Sequence, residues 1–283
     1  MLRLSIVSSL FALSAGMAGA DGHAALSGYA LAGDGAQLLT MADLSDPGEV
    51  TSVDLSNPVA AIAWRPVTGD LLGFADGAIY TIDAATGEMT DLGATFMDGA
   101  TIGDGATVAF DFNNQIDAVR AVSSAGDNLV YFPDGFGDGD ERAGSVRRFT
   151  DLAYAEGDSM AGSTPMVFAS AYTNAINGET AASTFQYALD AETDTLISLA
   201  NNAGTLETIA KITIDGAEVD LVPMGGFDIV SPQEGEDQAY AILQMEGAET
   251  ARLYSIDLTS GEATMLADLG VGGVTGFAAS QGS

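Results

Sequence analysis

The strongest constraint on the fold of this chain is a hairpin motif that recurs along its length. Residues 80–90 and 254–264 share Tyr, Ile, Asp, Gly, Glu and Thr at six equivalent positions, 174 residues apart. Each copy indicates a strand, a turn opened by Asp and closed by Gly, and a returning strand, because Asp can hydrogen-bond the turn backbone and Gly can adopt a positive φ angle. Looser copies lie at 39–51, 129–135 and 185–199, so the five hairpins start about 41, 49, 56 and 69 residues apart.

Between the hairpins lies a second kind of segment, a short apolar run that ends in turn residues. The five copies are 59–66, 108–114, 167–174, 226–232 and 274–280. Repeats of about 40–50 residues, each worth about four strands, are typical of a β-propeller. The sequence therefore predicts an all-β, single-domain propeller over 21–283, with five blades favoured, closed by N- and C-terminal strands that share a blade. Six blades would result if 201–222 formed a separate unit.

The first twenty residues have the pattern of a signal peptide. Arg3 gives a positive start, residues 4–16 form an apolar core, and Ala18 and Ala20 are the small residues that signal peptidase reads. The apolar stretch is shorter than the roughly 20 residues that span a bilayer. We therefore expect cleavage after Ala20 and a periplasmic or secreted protein that does not insert into the membrane.

Charge and composition exclude several functional classes. The chain has 40 Asp and Glu residues against 8 Lys and Arg, for a formal charge of −32, which argues against nucleic-acid binding. The absence of Cys excludes disulfides, thiolate metal sites and thiol nucleophiles. The one histidine, His23, lies near the N-terminus, which argues against His-dependent triads and His-ligated metals. The acidity favours a soluble monomer, with cation binding as the alternative interpretation.

The stretch 111–123, with the sequence DFNNQIDAVRAVS, is the most distinctive part of the chain. Further distinctive pieces are 65–69, 80–83, 128–135, 152–158, 171–174, 202–206 and 226–229. In this order, over roughly 26–280, the pieces resemble a bacterial exported family called domain of unknown function 4394. The resemblance implies export and a propeller-like fold, and it transfers no chemistry. The chain departs from the family pattern at Asn114, where the family usually has Pro, and at Val130, where a second Arg is common.

Polar residues at the ends of the five apolar runs are the candidates for a ligand site. If these runs are the innermost strands, their ends meet at one mouth of the central channel, where a few placed polar groups can bind a ligand. The candidates are Arg65, Asp111, Asn113, Asn174 and Asp228, with Asp117 and Arg120 in a neighbouring strand-like run. The alternative is that Asn and Asp only end strands and cap turns. For Arg120, binding of a carboxylate or sugar competes with neutralisation of an inward-facing carboxylate.

The Gly-rich loop 134–141 is the segment most like a cation site. It offers Asp134, Asp138 and Asp140, and calcium takes six to eight oxygen ligands. The loop lacks the alternating ligands of an EF-hand, so the alternative is an exposed hairpin tip. Calcium is the only cofactor that the sequence suggests.

Two functions from different classes fit these observations. The preferred one is a non-catalytic binding or scaffold protein with an unknown protein or glycan partner. The alternative is a calcium-dependent hydrolase of the lactonase-like propeller type, whose channel metal is held by Asp, Asn and Glu. The chain has no phosphate-binding Gly loop and no GxSxG elbow, so no motif indicates an enzyme.

Overall fold

The computed structural model describes residues 26–48, 50–75 and 77–281, and it shows an all-β architecture. Within these residues there are twenty-four strands and one short 3₁₀ helix, and twenty-two of the strands form five blades, each containing a four-stranded antiparallel sheet. The predicted signal peptide, residues 1–20, lies outside the described residues, as does His23. In the part of the chain that is described, no helix is long and apolar enough to cross a membrane.

The blades are lettered A to E, and each begins with an innermost strand at the channel and extends outward. Blade A contains β24 (Thr275–Gln281), β1 (Leu26–Ala32), β2 (Gln37–Met41) and β3 (Thr51–Asp54). Blade B contains β4 (Ala61–Arg65), β5 (Asp70–Ala75), β6 (Ala78–Ile82) and β7 (Met89–Asp91). Blade C contains β9 (Val108–Asn113), β10 (Ala118–Ser123), β11 (Asn128–Phe132), β12 (Ser145–Arg148) and, in parallel on the outside, β8 (Thr95–Phe96).

The last two blades follow the same plan. Blade D contains β14 (Val167–Tyr172), β15 (Gln186–Asp190), β16 (Thr195–Ala200), β17 (Thr205–Lys211) and, in parallel on the outside, β13 (Ala153–Tyr154). Blade E contains β20 (Leu221–Val230), β21 (Gln238–Met245), β22 (Arg252–Ile256) and β23 (Ala263–Asp268). The remaining elements are the 3₁₀ helix Asn201–Ala203 and a separate hairpin of β18 (Thr213–Ile214) and β19 (Ala217–Glu218).

The five innermost strands, β4, β9, β14, β20 and β24, contact one another in a closed ring. They are the five apolar runs found in the sequence, so the prediction that these runs line the channel is confirmed. Small residues allow the strands to come close to one another. A Cβ atom at Gly226 of β20 would lie only 2.3 Å from the backbone nitrogen of Phe277 in β24, so only glycine permits this approach.

Blade A joins the two ends of the described chain. Strand β24 pairs antiparallel with β1, and Leu26 lies opposite Gln281. This confirms the prediction that N- and C-terminal strands share a blade. The prediction of five blades is also confirmed, because 201–222 forms no sixth unit: β17 is the fourth strand of blade D, and β20 begins blade E.

The repeated Asp–Gly turn has the same structure in blades B and E. In blade B, the Asp83 carboxylate accepts the backbone N–H groups of Ala85 and Thr86, at 2.9 and 3.0 Å. Gly87 has a φ of 74°, and a Cβ there would lie 2.0 Å from the carbonyl oxygen of Asp54 in blade A. Gly261 in blade E has a φ of 72°, and its Cβ would lie 2.4 Å from the Lys211 carbonyl oxygen in blade D. Each turn glycine therefore fits a blade against its predecessor.

One of the looser hairpin copies occupies a different place in its blade. The copies near 39–51 and 129–135 lie, like the two clear copies, where the third strand meets the fourth. Residues 185–199 instead contain the second and third strands of blade D. In blade D the turn from the third strand to the fourth runs through the 3₁₀ helix and Gly204, whose φ is 67°. A Cβ at Gly204 would lie 2.4 Å from the carbonyl oxygen of Thr150, in the segment that follows blade C. Blade D therefore keeps the close contact with its predecessor although its turn lacks the aspartate of the repeated motif.

The core of the protein is divided into five layers, one between each pair of neighbouring blades. Each layer combines hydrophobic side chains from two neighbouring blades, and the layer between blades A and B includes Leu38 and Ile62. Strands buried on both faces lose the alternation of apolar and polar residues. This explains why β9, β10, β11 and β14 are buried at every position.

Candidate functional site

The segment 173–185, which connects β14 to β15 and which we call the mouth loop, crosses one end of the central channel. The Gly178 N–H donates to the Pro66 carbonyl oxygen in blade B at 2.9 Å. The Ala181 N–H donates to the Asn114 carbonyl oxygen in blade C at 3.2 Å. The side-chain amide of Asn114 also points at the loop, and its Nδ2 lies 2.8, 3.5 and 3.1 Å from three loop carbonyl oxygens, those of Asn174, Ile176 and Glu179. Asn114 is completely buried, so this cluster fixes the loop from beneath.

The mouth loop is also bound on the opposite side of the channel. The Ala175 N–H donates to the Ser231 hydroxyl of blade E at 3.1 Å, and the Ser231 N–H donates to the Ala175 carbonyl oxygen at 3.3 Å. Asn174, which has a φ of 59°, accepts the Gly235 N–H at 2.7 Å and donates its own backbone N–H to Asp237 at 2.9 Å. The loop therefore contacts blades B, C and E and closes the channel at this end.

Two aspartates lie in the channel beneath the mouth loop. Asp111 and Asp228 occupy the same position in β9 and β20, and each accepts a backbone N–H from the next inner strand. The donors are the Tyr172 N–H to Asp111 and the Ala279 N–H to Asp228, both at 2.6 Å. Both carboxyl groups line a small cavity of about 10 Å³, which we call the channel void and which also touches Asn177 of the mouth loop. A space of this size holds at most one water molecule.

Burial raises the pKa of both aspartates. The pKa of Asp228 rises to about 7 because its carboxyl group is removed from water, although two backbone N–H groups oppose the effect. The pKa of Asp111 rises well above its ordinary range, first because of burial and second because of the nearby charge of Asp228. Two carboxyl groups that share one small cavity resist simultaneous ionisation, so the pair retains a proton at neutral pH.

A larger cavity, which we call the outer groove, lies beside the mouth loop between blades A and B. Its volume is about 440 Å³, within the range of small-molecule sites. Tyr29 and Trp64 stack in it with their ring centres 5.9 Å apart and their planes 13° from parallel. The other lining residues are Ser27, Val67, Thr68, Gly69, Asn177, Gly178, Ser280 and Gln281. Trp64, Asn177 and Gln281 line both the outer groove and the channel void, so the two cavities adjoin at these three residues.

Arg65 and Asp117, both predicted as site residues from the sequence, meet at the mouth. Arg65 ends β4 and donates two hydrogen bonds to the Asp117 carboxylate, the one from Nε at 2.8 Å. Asp117 lies in the turn after β9 with a φ of 51°, rather than in a strand. Asn113, at the end of β9, accepts hydrogen bonds from the Gln115 N–H and the Thr184 hydroxyl at 3.1 and 3.0 Å. These polar groups at the mouth are therefore already bound to protein partners.

Arg120 lies away from the mouth, buried between blades C and D. Its guanidinium donates to the Tyr172 hydroxyl at 2.9 Å and to the side-chain oxygens of Asn128 and Asn202. It also lies 5.8 Å from the centre of the Phe149 ring. Among the described residues no carboxylate forms an ion pair with Arg120, in contrast to the pairing that the sequence suggests for it. The pieces around 120, 128, 172 and 202 that resemble the family thus meet around the buried guanidinium of Arg120, with Asn202 at the exposed edge of the network.

The acidic loop after β11 forms a compact hairpin tip. The Asp140 carboxylate accepts two hydrogen bonds from the Arg142 side chain, at 2.9 and 2.6 Å, and this lowers its pKa to about 2. Asp134 and Asp138 are exposed. In the part of the chain that the structure describes, no three acidic or His side chains are grouped closely enough to hold a metal ion.

Comparison with known proteins identifies the family. The family model described as domain of unknown function (DUF4394) matches residues 37–278. The chain belongs to this family. Membership agrees with the resemblance seen in the sequence pieces of this DUF4394 chain, and the family has no stated function. No curated protein sequence matches the chain.

Solved structures that resemble this DUF4394 chain are distant in sequence. A protein of unknown function from Bacteroides thetaiotaomicron is 13% identical, with a TM-score of 0.46, and the match covers 87% of this chain and 58% of that protein. An auxiliary nutrient binding protein from the same species is 14% identical over 72% and 50% of the two chains, with a TM-score of 0.42. The PQQ-bound aldose sugar dehydrogenase from Streptomyces coelicolor is 15% identical over 81% and 87%, with a TM-score of 0.40. Likenesses this distant transfer no activity to the chain.

Sequence reasoning missed the outer groove. Of its lining residues, Trp64 carried the clearest signal, because it is the chain's one tryptophan and is the last residue but one of an inner strand. Tyr29 and Gln281 come from opposite ends of the sequence, and only the closure of blade A brings them together. Pattern alone gives no indication that they share a cavity.

Proposed function

We propose that this protein is an exported, non-catalytic binding protein that holds a neutral polyhydroxy ligand, such as part of a glycan, in the outer groove. The observation that carries the proposal is a groove of about 440 Å³ in which the rings of Tyr29 and Trp64 accompany hydroxyl and amide side chains. Aromatic rings pack against the apolar faces of a ligand, while hydroxyl and amide groups fix its orientation through hydrogen bonds.

The charge distribution supports a neutral ligand. None of the described residues that line the groove carries a charge. Arg65, which follows the groove residue Trp64 in the sequence, is paired with Asp117. With a formal charge of −32 the protein repels anions at a distance. We therefore expect sugar acids to be excluded and uncharged sugars to be accepted.

Trp64 provides a direct assay, because it is the only tryptophan in the chain and lies in the groove. Titration with the neutral disaccharides maltose, cellobiose and lactose is expected to change its fluorescence saturably for at least one of them. Gluconate, compared with glucose, tests the exclusion of anions. In Tyr29→Ala the dissociation constant should rise about tenfold, the equivalent of about 1.4 kcal/mol.

Phe185→Ala is the matched control, because Phe185 is an exposed aromatic residue at the end of the mouth loop and does not line the groove. It should leave sugar binding unchanged. The proposal would be wrong if no neutral sugar altered the Trp64 signal, or if Tyr29→Ala and Phe185→Ala weakened binding equally.

A further inference from the structure

We infer that the mouth loop is a lid, and that its movement joins the outer groove to the channel void to form one deeper ligand site. This lid rests on the proposed function and extends it, because it places part of the ligand site beneath the loop. Three observations support the lid. The loop closes the channel, the two cavities share part of their lining, and the loop is held by hydrogen bonds that a substitution can remove.

The closed arrangement leaves no room for a ligand in the channel. The channel void of about 10 Å³ is enclosed by Asn177 of the loop above and by Asp111 and Asp228 below. Trp64, Asn177 and Gln281 line both this void and the groove of about 440 Å³, so they belong to the wall that the two cavities share. Because Asn177 belongs to the loop, displacement of the loop removes part of this wall and makes the two cavities continuous.

The mouth loop has little apolar anchorage of its own. Seven of the eleven residues from 175 to 185 are exposed, and the buried hydrophobic ones among them are Ile176 and Ala181. Segments with few buried apolar contacts open at a small free-energy cost relative to the whole fold. The tip of the loop is therefore held mainly by hydrogen bonds, among them those from the Ala182 and Ser183 N–H groups to the Glu234 carboxylate at 3.1 Å, and the proposed opening breaks these bonds while the blades stay folded.

The side chain of Asn114 stabilises the closed position of this lid. Its amide nitrogen faces three loop carbonyl oxygens from below, and its own Oδ1 has no hydrogen-bond partner among the described residues. Removal of the amide therefore affects the loop and deprives no other described group of a partner. The neighbouring Gln115 donates one exposed hydrogen bond to the Ala182 carbonyl oxygen at 2.7 Å, on the edge of the loop.

When the lid is open, the inner end of the ligand meets the carboxyl groups of Asp111 and Asp228 and the carboxamide of Gln281. These groups suit the hydroxyl-bearing end of a sugar, which can both donate and accept hydrogen bonds. The ligand class of the deeper site is therefore the same as that of the outer groove.

The first test needs no ligand, so its failure is distinct from failure of the proposed function. Asn114→Ala should speed hydrogen exchange of the Gly178 and Ala181 amides about fivefold, the equivalent of about 1 kcal/mol, which is the net worth of one hydrogen bond. It should also increase acrylamide quenching of Trp64, while exchange in the inner strands keeps its parental rate. Ile116→Ala, at an exposed neighbouring side chain that has no polar atom to bind the loop, is the control and should change neither quantity appreciably.

A disulfide lock provides the opposite perturbation and covers the case in which Asn114→Ala does not fold. The chain has no cysteine, and Gln115 and Ala182 are exposed neighbours across the loop edge. Oxidised Gln115→Cys/Ala182→Cys should slow loop exchange and reduce quenching of Trp64 relative to its own reduced form. With a disaccharide that binds, the lock should slow both association and dissociation.

Two results would overturn the lid. One is loop exchange in the parent protein that occurs only through global unfolding, with the same rate as the inner strands. The other is identical Trp64 quenching in the oxidised lock, the reduced lock and Asn114→Ala.

Discussion

The stability of this protein should fall as the pH rises from about 4 to 7, and the substitution Asp228→Asn should make that fall smaller. In the folded protein, burial holds the pKa of Asp228 at about 7, whereas in an unfolded chain an aspartate has a pKa of about 3.9. Between these two values the folded state retains a proton that the unfolded state has released, so stability decreases with pH. The contribution is fully present below about pH 4 and is lost by about pH 7.

The size of the effect follows from the two pKa values. They differ by roughly 3, and each unit corresponds to about 1.36 kcal/mol, so the loss is about 4 kcal/mol. In a domain of this size 1 kcal/mol changes Tm by roughly 2–4 °C, so Tm should fall by about 10 °C. The raised pKa of Asp111 acts in the same direction. Thermal denaturation followed by circular dichroism at pH 4 to 8 measures the profile.

The asparagine variant should produce a profile that crosses that of the parent. An Asn side chain has one acceptor oxygen, so it cannot accept both the Ile229 and the Ala279 N–H groups that Asp228 accepts on its two oxygens. The variant should therefore be less stable at pH 4, by about 1–3 kcal/mol for the unpaired group. At pH 8 it should be more stable, because no buried charge forms at this position.

Repulsion among the surface acids also weakens the fold as the pH rises, and two controls separate it from the buried pair. The profiles are measured in 1 M NaCl, where the screening length is about 3 Å. Asp98→Asn removes an exposed carboxylate and should leave the slope unchanged. A stability that increased between pH 4 and 7, or an Asp228→Asn variant that kept the parental slope at high salt, would contradict a buried proton at Asp228.

Three further predictions concern other parts of the molecule. Gly87→Ala should destabilise the protein by more than about 2 kcal/mol in urea denaturation, because its Cβ would lie 2.0 Å from the Asp54 carbonyl oxygen. Gly247→Ala is the control, because Gly247 has a φ of 77° and open space around it, and it should show only the smaller backbone penalty. Equal losses of stability in the two variants would contradict the prediction. Arg120→Ala should lower stability by about 2–4 kcal/mol with little dependence on salt, because the buried Asn128 amide oxygen and Tyr172 hydroxyl lose their donor. A loss of stability that disappears in 1 M NaCl would instead indicate that Arg120 pairs with a carboxylate. Calcium should raise Tm no more than NaCl of the same ionic strength, since Asp140 is bound to an arginine; a specific shift that EDTA reverses would restore the calcium hypothesis.

The inner strands and the blade count could be predicted because they depend on local pattern. Strand β9 and its counterparts are short apolar runs with turn residues at their ends, and the Asp83 and Asp257 turns need only contacts between near neighbours in the chain. The place of the 185–199 hairpin could not be predicted in the same way, because blade D uses Gly204 after a 3₁₀ helix for the turn where other blades use Asp and Gly. A hairpin pattern identifies two paired strands but does not number them within a blade.

The site could be predicted only in part. Asp111 and Asp228 stand out because each interrupts an apolar run at the same position. The mouth loop has no comparable signal, because its position depends on distant contacts: Asn114 and Ser231 lie 60 and 56 residues from their partners in the loop. Likewise Arg120 finds its partners in three separate segments, so its neutral surroundings could not be inferred from sequence neighbours.

The pairing of β1 with β24 has a consequence for how the protein reaches its native state. Leu26 and Gln281 lie opposite each other although almost the whole chain separates them, so this ladder is the contact of greatest loop-closure entropy and belongs late in folding. During synthesis or export, blade A therefore consists of three strands with an unpaired inner edge until β24 has been made and can pair with β1. Because the paired ends are already adjacent, a linker between them and new termini in the exposed turn at Gly247 would give a circular permutant. In that permutant the open edge during synthesis would pass from blade A to blade E, without any change in the finished ring.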